Sequence, residues 1–211
     1  MPAPLTGRVP ASLQLDDHLA AARRLEELLP ALHTVGDLLI GVFRRGGRLY
    51  TFGNGGSAAD AQHLAGEFIG RYLRERRALP AVSLVTDPSV VSCIGNDYAY
   101  EEVFARQVEA LATADDMVVG FTTSGRSANV IRGLEEARKR GAVTVLFAGG
   151  EQGGRPAAAH ADHVLIAPAT ATARIQEMHL TLLHLLSEHV DAWAAGVAPA
   201  PLPDARQENH V

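Results

Sequence analysis

One lysine in 211 residues is the sharpest shortage in this sequence. Schiff-base catalysis and Walker-type phosphate loops both need a lysine amine. The lysine present, Lys139, lies in the charged run Glu135-Glu136-Ala137-Arg138-Lys139-Arg140, which reads as a solvated helix end. The glycine-rich stretch Gly53-Asn54-Gly55-Gly56-Ser57 contains none, so both chemistries are set aside. Cysteine is as scarce. Cys93 stands alone, which excludes an internal disulfide, suits a reducing compartment and reads as a small core residue. No apolar run is long enough to span a bilayer, and the N-terminus has no signal-peptide core, so no membrane and a cytoplasmic location are expected. A net charge of −5 argues against a general nucleic-acid binder.

A hydrophobic content of 47% is enough for a buried core in a single domain. Residues 1–12 hold three prolines and read as a flexible arm. Apolar residues then recur at helical spacing from Leu13 to Leu29, where Pro30 breaks the run, and again from Ala31 to Phe43. This N-terminal helical hairpin packs either on a partner subunit or on its own sheet. Strand and helix patterns alternate after it. The strands are expected at Arg48–Phe52, Ala81–Val85, Met117–Thr122, Val143–Ala148 and His163–Ile166. Most are short and apolar on both faces, as in a parallel sheet covered by helices. Helices are expected at Ala59–Tyr72, Ser89–Ile94 with Tyr100–Leu111, Ala128–Arg140 and about Thr172 to Ala195. The sum is a doubly wound α/β fold, a three-layer α/β/α sandwich spanning residues 13–195. Residues 196–211 read as a disordered tail.

Ligands in such folds bind beyond the carboxyl ends of the strands. Two stretches sit there. Gly53–Ser57 joins a strand to a helix with glycines that admit a ligand to the backbone and a helix N-terminus that favours anions. Thr122-Thr123-Ser124-Gly125-Arg126-Ser127 does the same with four hydroxyls, which favours a phosphate cradle over an ordinary N-cap by Ser127. One turn into the first of these helices, His63 and Glu67 share a face at i and i+4. They are either a surface pair or a ligand pair able to hold a metal or move a proton. His184 lies among leucines and Gln176 near the start of the same helix. Taken singly they read as a core residue and a surface residue or cap, and spacing does not join the four.

The motifs together resemble the sugar isomerase (SIS) domain family. Those that carry the likeness are Gly53–Ser57 with Asp60, His63 and Glu67; Asn96-Asp97; Thr123-Ser124-Gly125 with Ser127-Ala128-Asn129; and Arg174-Ile175-Gln176-Glu177 with His179 and His184. The likeness covers about Leu13 to Val190. It implies a five-stranded parallel sheet, a homotetramer with interfacial active sites, and one zinc ion per site held by His63, Glu67, Gln176 and His184. It places substrate contacts on Asn54, Gly55, Gly56, Ser57, Asp60, Arg71, Asn96, Asp97, Thr122, Thr123, Ser124, Ser127 and Gln176, and proton transfer on Glu67 and His184. The implied activity is conversion of D-sedoheptulose 7-phosphate, a phosphorylated seven-carbon sugar, to D-glycero-D-heptopyranose 7-phosphate. A non-catalytic branch that binds the bacterial replication initiator lacks the histidine found here at 184, and a phosphosugar-binding regulator is the third alternative. Ala58, Ala59, Thr122 and Arg126 depart from residues common in relatives.

Gln176 and His184 lie about 12 Å apart along a straight helix. They cannot easily share one ion from a single regular helix: either Gln176 precedes regular helix or neighbouring subunits contribute, and the preferred reading is a composite site between protomers, with Glu67 and His184 meeting across the boundary.

Overall fold

The computed structural model describes residues 10–150 and 155–197. The expected arm and tail therefore fall mostly outside the described residues. Helix α1 (Ala11–Arg24) begins just after Pro10, two residues inside the expected arm. A 3-10 turn at Leu25–Leu28 passes the chain to α2 (Leu29–Arg44). Pro30 does not end a helix but sits in the first turn of α2, where its missing N–H would have had no partner.

The sheet contains β1 (Leu49–Gly53), β2 (Ala81–Ser83), β3 (Met117–Phe121), β4 (Val143–Gly149) and β5 (His163–Ala167), all parallel. Between them run α3 (Gly56–Ile69), α4 (Pro88–Asp97), α5 (Ala105–Leu111), α6 (Ala128–Lys139) and α7 (Arg155–Ala158), and α8 (Thr172–Ala194) closes the fold. Every residue of β1 and β3 is buried, which is why neither strand shows an alternating pattern. Successive residues still serve opposite layers. Leu49, Val119 and Phe121 pack under α1, α2, α3 and α8, while Tyr50, Phe52 and Val118 pack under α4 to α7.

The strand order is β2-β1-β3-β4-β5. The chain reverses direction across the sheet between β1 and β3, and the crevice of a doubly wound sheet opens at such a reversal. The turns after β1 and β3 are the two candidate cradle segments. They are neighbours because Gly53 pairs with Phe121.

His179 locks α8 onto the sheet. It is fully buried, and its Nε2–H donates to the Ala148 carbonyl oxygen at 3.0 Å. Burial pushes its pKa down to about 4, against the pull of that carbonyl. The unfolded chain therefore takes up this proton near pH 6.5 and the folded chain only near pH 4. Stability from this group is intact above pH 6.5 and falls as the pH drops through that window, by on the order of 3 kcal/mol. In urea titrations, His179→Gln is expected to remove that slope, so that the stability gap between wild type and variant narrows from pH 6.5 to 4. Parallel profiles would place the histidine elsewhere.

Candidate active site

Helix α3 starts at Gly56, three residues earlier than its apolar pattern suggests, because Gly55 takes φ 57° and turns the strand directly into the helix. No side chain caps the N-terminus of α3 or of α6. Ser127, the N-cap residue of α6, instead holds its Oγ 3.4 Å from Thr122 Oγ1. The cap reading of Ser127 fails, and its hydroxyl remains in the cradle. Thr122 Oγ1 accepts the Gly125 N–H at 3.2 Å, and Ser124 Oγ accepts the Arg126 N–H at 3.2 Å. Thr122 and Ser57 are buried, Thr123 is half-buried and Ser124 is exposed at the rim.

Asn54 does something the sequence does not announce. Its Nδ2–H donates to Asn129 Oδ1 at 2.8 Å, and Asn129 Nδ2–H donates back to Asn54 Oδ1 at 2.8 Å. The Tyr100 hydroxyl donates to the same Asn54 oxygen at 3.2 Å. The Asn54 side chain thus stitches the turn after β1 to the start of α6. Asn129 and Tyr100 are absent from the expected site because a reciprocal amide pair spanning 75 residues leaves no local pattern.

Asn96 and Asp97 end α4, next to the turn that carries Tyr100. Asn96 Nδ2–H donates to Asp97 Oδ1 at 2.8 Å, which holds the Asp97 carboxyl below its usual range, with a smaller pull from Cys93. Cys93 itself is exposed rather than in the core, because it lies on the outer face of α4 with its thiol on Asp97. Arg71 follows α3 and is engaged locally, by the Leu73 carbonyl at 3.3 Å and Glu75 at 3.9 Å.

The second centre lies two to three turns along α3. His63 Nε2 is 2.8 Å from Glu67 Oε1, and His184 Nε2 stands 3.2 Å from His63 Nε2. One ligand atom from each of the three lies within 4.8 Å of the others. All three come from one chain. The expectation that Glu67 and His184 meet across a protomer boundary is therefore corrected: α3 and α8 pack against each other on the same face of the sheet and bring them together. Tyr72 lies against the His184 ring, centroids 5.8 Å apart. Burial and the neighbouring His63 push the His184 pKa down, and Glu67 opposes them, so the imidazole is neutral at pH 7.

The three groups fit a divalent cation. Two ring nitrogens facing each other at 3.2 Å are close to the roughly 3.3 Å edge of a tetrahedral zinc site with bonds of about 2.0–2.1 Å. Without an ion, one of them must spend a proton to avoid lone-pair repulsion. Gln176, the fourth expected ligand, is placed by its contact with Gly56. It lies within regular α8, two turns before His184, and its amide packs on Gly56 so closely that a Cβ there would come within 2.4 Å of Nε2. In this chain Gln176 belongs to the cradle end of the site. Asp60, one turn before His63, has a buried Oδ2 with no hydrogen-bond partner, and burial pushes its pKa up to about 6 while His63 pulls the other way.

The SIS domain family profile matches residues 16–149. The chain is 49% identical to the phosphoheptose isomerase of Roseiflexus sp. (strain RS-1) over 169 residues, covering 80% of this chain and 85% of that protein. Among solved structures it is similar to phosphoheptose isomerase GmhA from Neisseria gonorrhoeae, with a TM-score of 0.80 and 37% identity over 86% of this chain and 96% of that one. A phosphoheptose isomerase from Francisella tularensis gives a TM-score of 0.81 at 29% identity, covering 85% and 95%. A cradle at the sheet's reversal, a His-Glu-His cluster beside it and these likenesses agree, and the chain belongs to the SIS domain family, among its phosphoheptose isomerases.

Proposed function

We propose that this aldose-ketose isomerase converts D-sedoheptulose 7-phosphate to D-glycero-D-heptopyranose 7-phosphate through an enediol, with zinc held by His63, Glu67 and His184. The observation that carries the reading is the convergence of those three side chains two to three turns along the helix that starts at a phosphate cradle. Interconverting a 2-ketose and an aldose moves a proton between C1 and C2. Glu67 has one oxygen on His63 and a second for the carbon-bound proton. His184, with Nε2 turned to the ion, would have its Nδ1–H left to donate to the substrate oxygen as charge develops there. When bound, the metal would supply Lewis acidity toward the carbonyl and hydroxyl oxygens. The cradle holds the phosphate end through Ser124, Thr123, Ser127 and the two helix N-termini, which fixes the reacting carbons relative to Glu67.

Assembly into a homotetramer belongs to the same reading. Leu15 and Leu19, at i and i+4 on α1, remain 58% and 47% exposed in the single chain, an apolar face that a second copy would cover. A neighbouring copy would also be the source of a Gln176 for the metal set, since this chain's own is held at Gly56. Among the described residues no helix is long and apolar enough to cross a membrane, and a cytoplasmic location fits the lone thiol. The scaffold and regulator alternatives leave the meeting of His184 with His63 and Glu67 without a purpose.

Incubation of the zinc-loaded protein with sedoheptulose 7-phosphate, followed by NMR, is expected to show aldoheptopyranose signals growing at the expense of the ketose. An unchanged spectrum contradicts the assignment. Ser124→Ala is expected to raise KM about tenfold and to leave kcat within about twofold, the loss of one hydrogen bond to a charged group. An unchanged KM would remove Ser124 from the cradle.

A further inference from the structure

Helix α3 ends at Ile69, within a turn of Glu67, and a helix end leaves carbonyls without partners. Arg76 returns to fill them. Its Nη2–H donates to the Glu67 carbonyl oxygen at 2.7 Å, and its Nη1–H groups reach Phe68 O at 2.9 Å, Gly70 O at 3.3 Å and Arg77 O at 2.9 Å. Its Nε–H donates to Asp191 Oδ1 at 2.9 Å, and both side chains are 0% exposed. The other Asp191 oxygen accepts the backbone N–H groups of Arg74 at 3.0 Å and Leu73 at 3.4 Å. Asp191 lies in α8 seven residues beyond His184, two turns on and on the same face.

One buried ion pair therefore spans two helices. One end holds the peptide group of Glu67, and the other holds the helix that carries His184. The loop wrapped around Asp191 also sets Tyr72 against the His184 ring. Stability alone does not account for the pair, because buried ion pairs are often no better than apolar residues of similar volume. An apolar pair would not fix the spacing between the end of α3 and α8. A planar fork bonded to both does.

We infer that Arg76 and Asp191 are positioning residues: a strut that sets the distance between the helix bearing His63 and Glu67 and the helix bearing His184, and through it the affinity of the site for a divalent cation. The inference rests on the metal reading of that cluster. Neither residue touches a ligand atom; they act through the backbone of Glu67 and the placement of α8.

The test is zinc affinity by chelator competition, with melting temperature and kcat measured on the same full-length proteins. Arg76→Lys keeps the charge and the contact with Asp191 but loses the fork to the carbonyls. It is expected to bind zinc about 10- to 100-fold more weakly, with kcat reduced. Asp191→Asn should lower both melting temperature and zinc affinity. The double variant Arg76→Met with Asp191→Leu removes both charges but leaves the Glu67 and Phe68 carbonyls, the Leu73 and Arg74 N–H groups and the Arg74 guanidinium without these partners, so its melting temperature should fall as well while zinc binding stays weak. Wild-type zinc affinity in the double variant, or in Arg76→Lys if the double variant does not fold, overturns the strut. Failure of the wild-type protein to bind zinc overturns the metal reading itself, and the strut with it.

Discussion

Replacing His184 with glutamine is expected to lower kcat by at least about a thousandfold while the protein stays folded. The side chain is only partly buried, so an amide of similar length leaves no large cavity. Its chemistry is not replaced. Glutamine cannot take up a proton near neutral pH, and acid–base groups typically supply about 10²- to 10⁴-fold. The amide is also a poorer zinc ligand than imidazole, so zinc content should fall with turnover. Circular dichroism and melting temperature in the metal-free form should stay close to wild type. A variant with kcat within tenfold of wild type would take His184 out of the reaction.

Gly53→Ala is expected to damage both the fold and the cradle. A Cβ on Gly53 would lie 2.6 Å from the Ser57 carbonyl oxygen, 2.8 Å from its carbon and 3.0 Å from the Phe121 carbonyl oxygen. All three are backbone atoms, so no side chain can swing aside. The turn after β1 must open away from β3. Overpacking of this kind costs about 1–3 kcal/mol, a drop of roughly 2–12 °C in Tm for a domain of this size. KM should rise more than tenfold, because the same turn forms part of the proposed phosphate cradle. Gly66→Ala is the control. Nothing lies within 4 Å of its Cβ position, and alanine in a helix is favoured over glycine by about 1 kcal/mol. Its melting temperature should not fall. A Gly53→Ala protein with wild-type Tm and KM would show that the turn is not held as described.

How much of this was legible in the sequence depends on the range of the interactions. The strands could be read because buried parallel strands are uniformly apolar, as Met117–Phe121 is. The sequence extends β2 two residues too far because apolar character continues through Val85 after the ladder stops at Ser83. Pro30 was read as a break because its position within a helix turn depends on where the helix starts. In the site, His63 and Glu67 announced themselves through a four-residue spacing. Their meeting with His184 could not, since that contact spans 121 residues. Gln176 and His184 stand two turns apart on one regular helix, and the Gln176 amide packs on Gly56. Glu67 and His184 sit on different helices, so the rise along α8 says nothing about whether they meet. The Arg76–Asp191 pair and the Asn54–Asn129 pair were illegible for the same reason, as neither has a local spacing.

The central claim is that one protomer's His63, Glu67 and His184 gather a catalytic cation. Anomalous diffraction at the zinc edge, from crystals grown with zinc, tests it directly. The expected result is one strong peak per chain, about 2.0–2.2 Å from a nitrogen of each histidine and an oxygen of Glu67, all of the same protomer. No peak there, or a peak that leaves His184 outside bonding distance, would contradict the account.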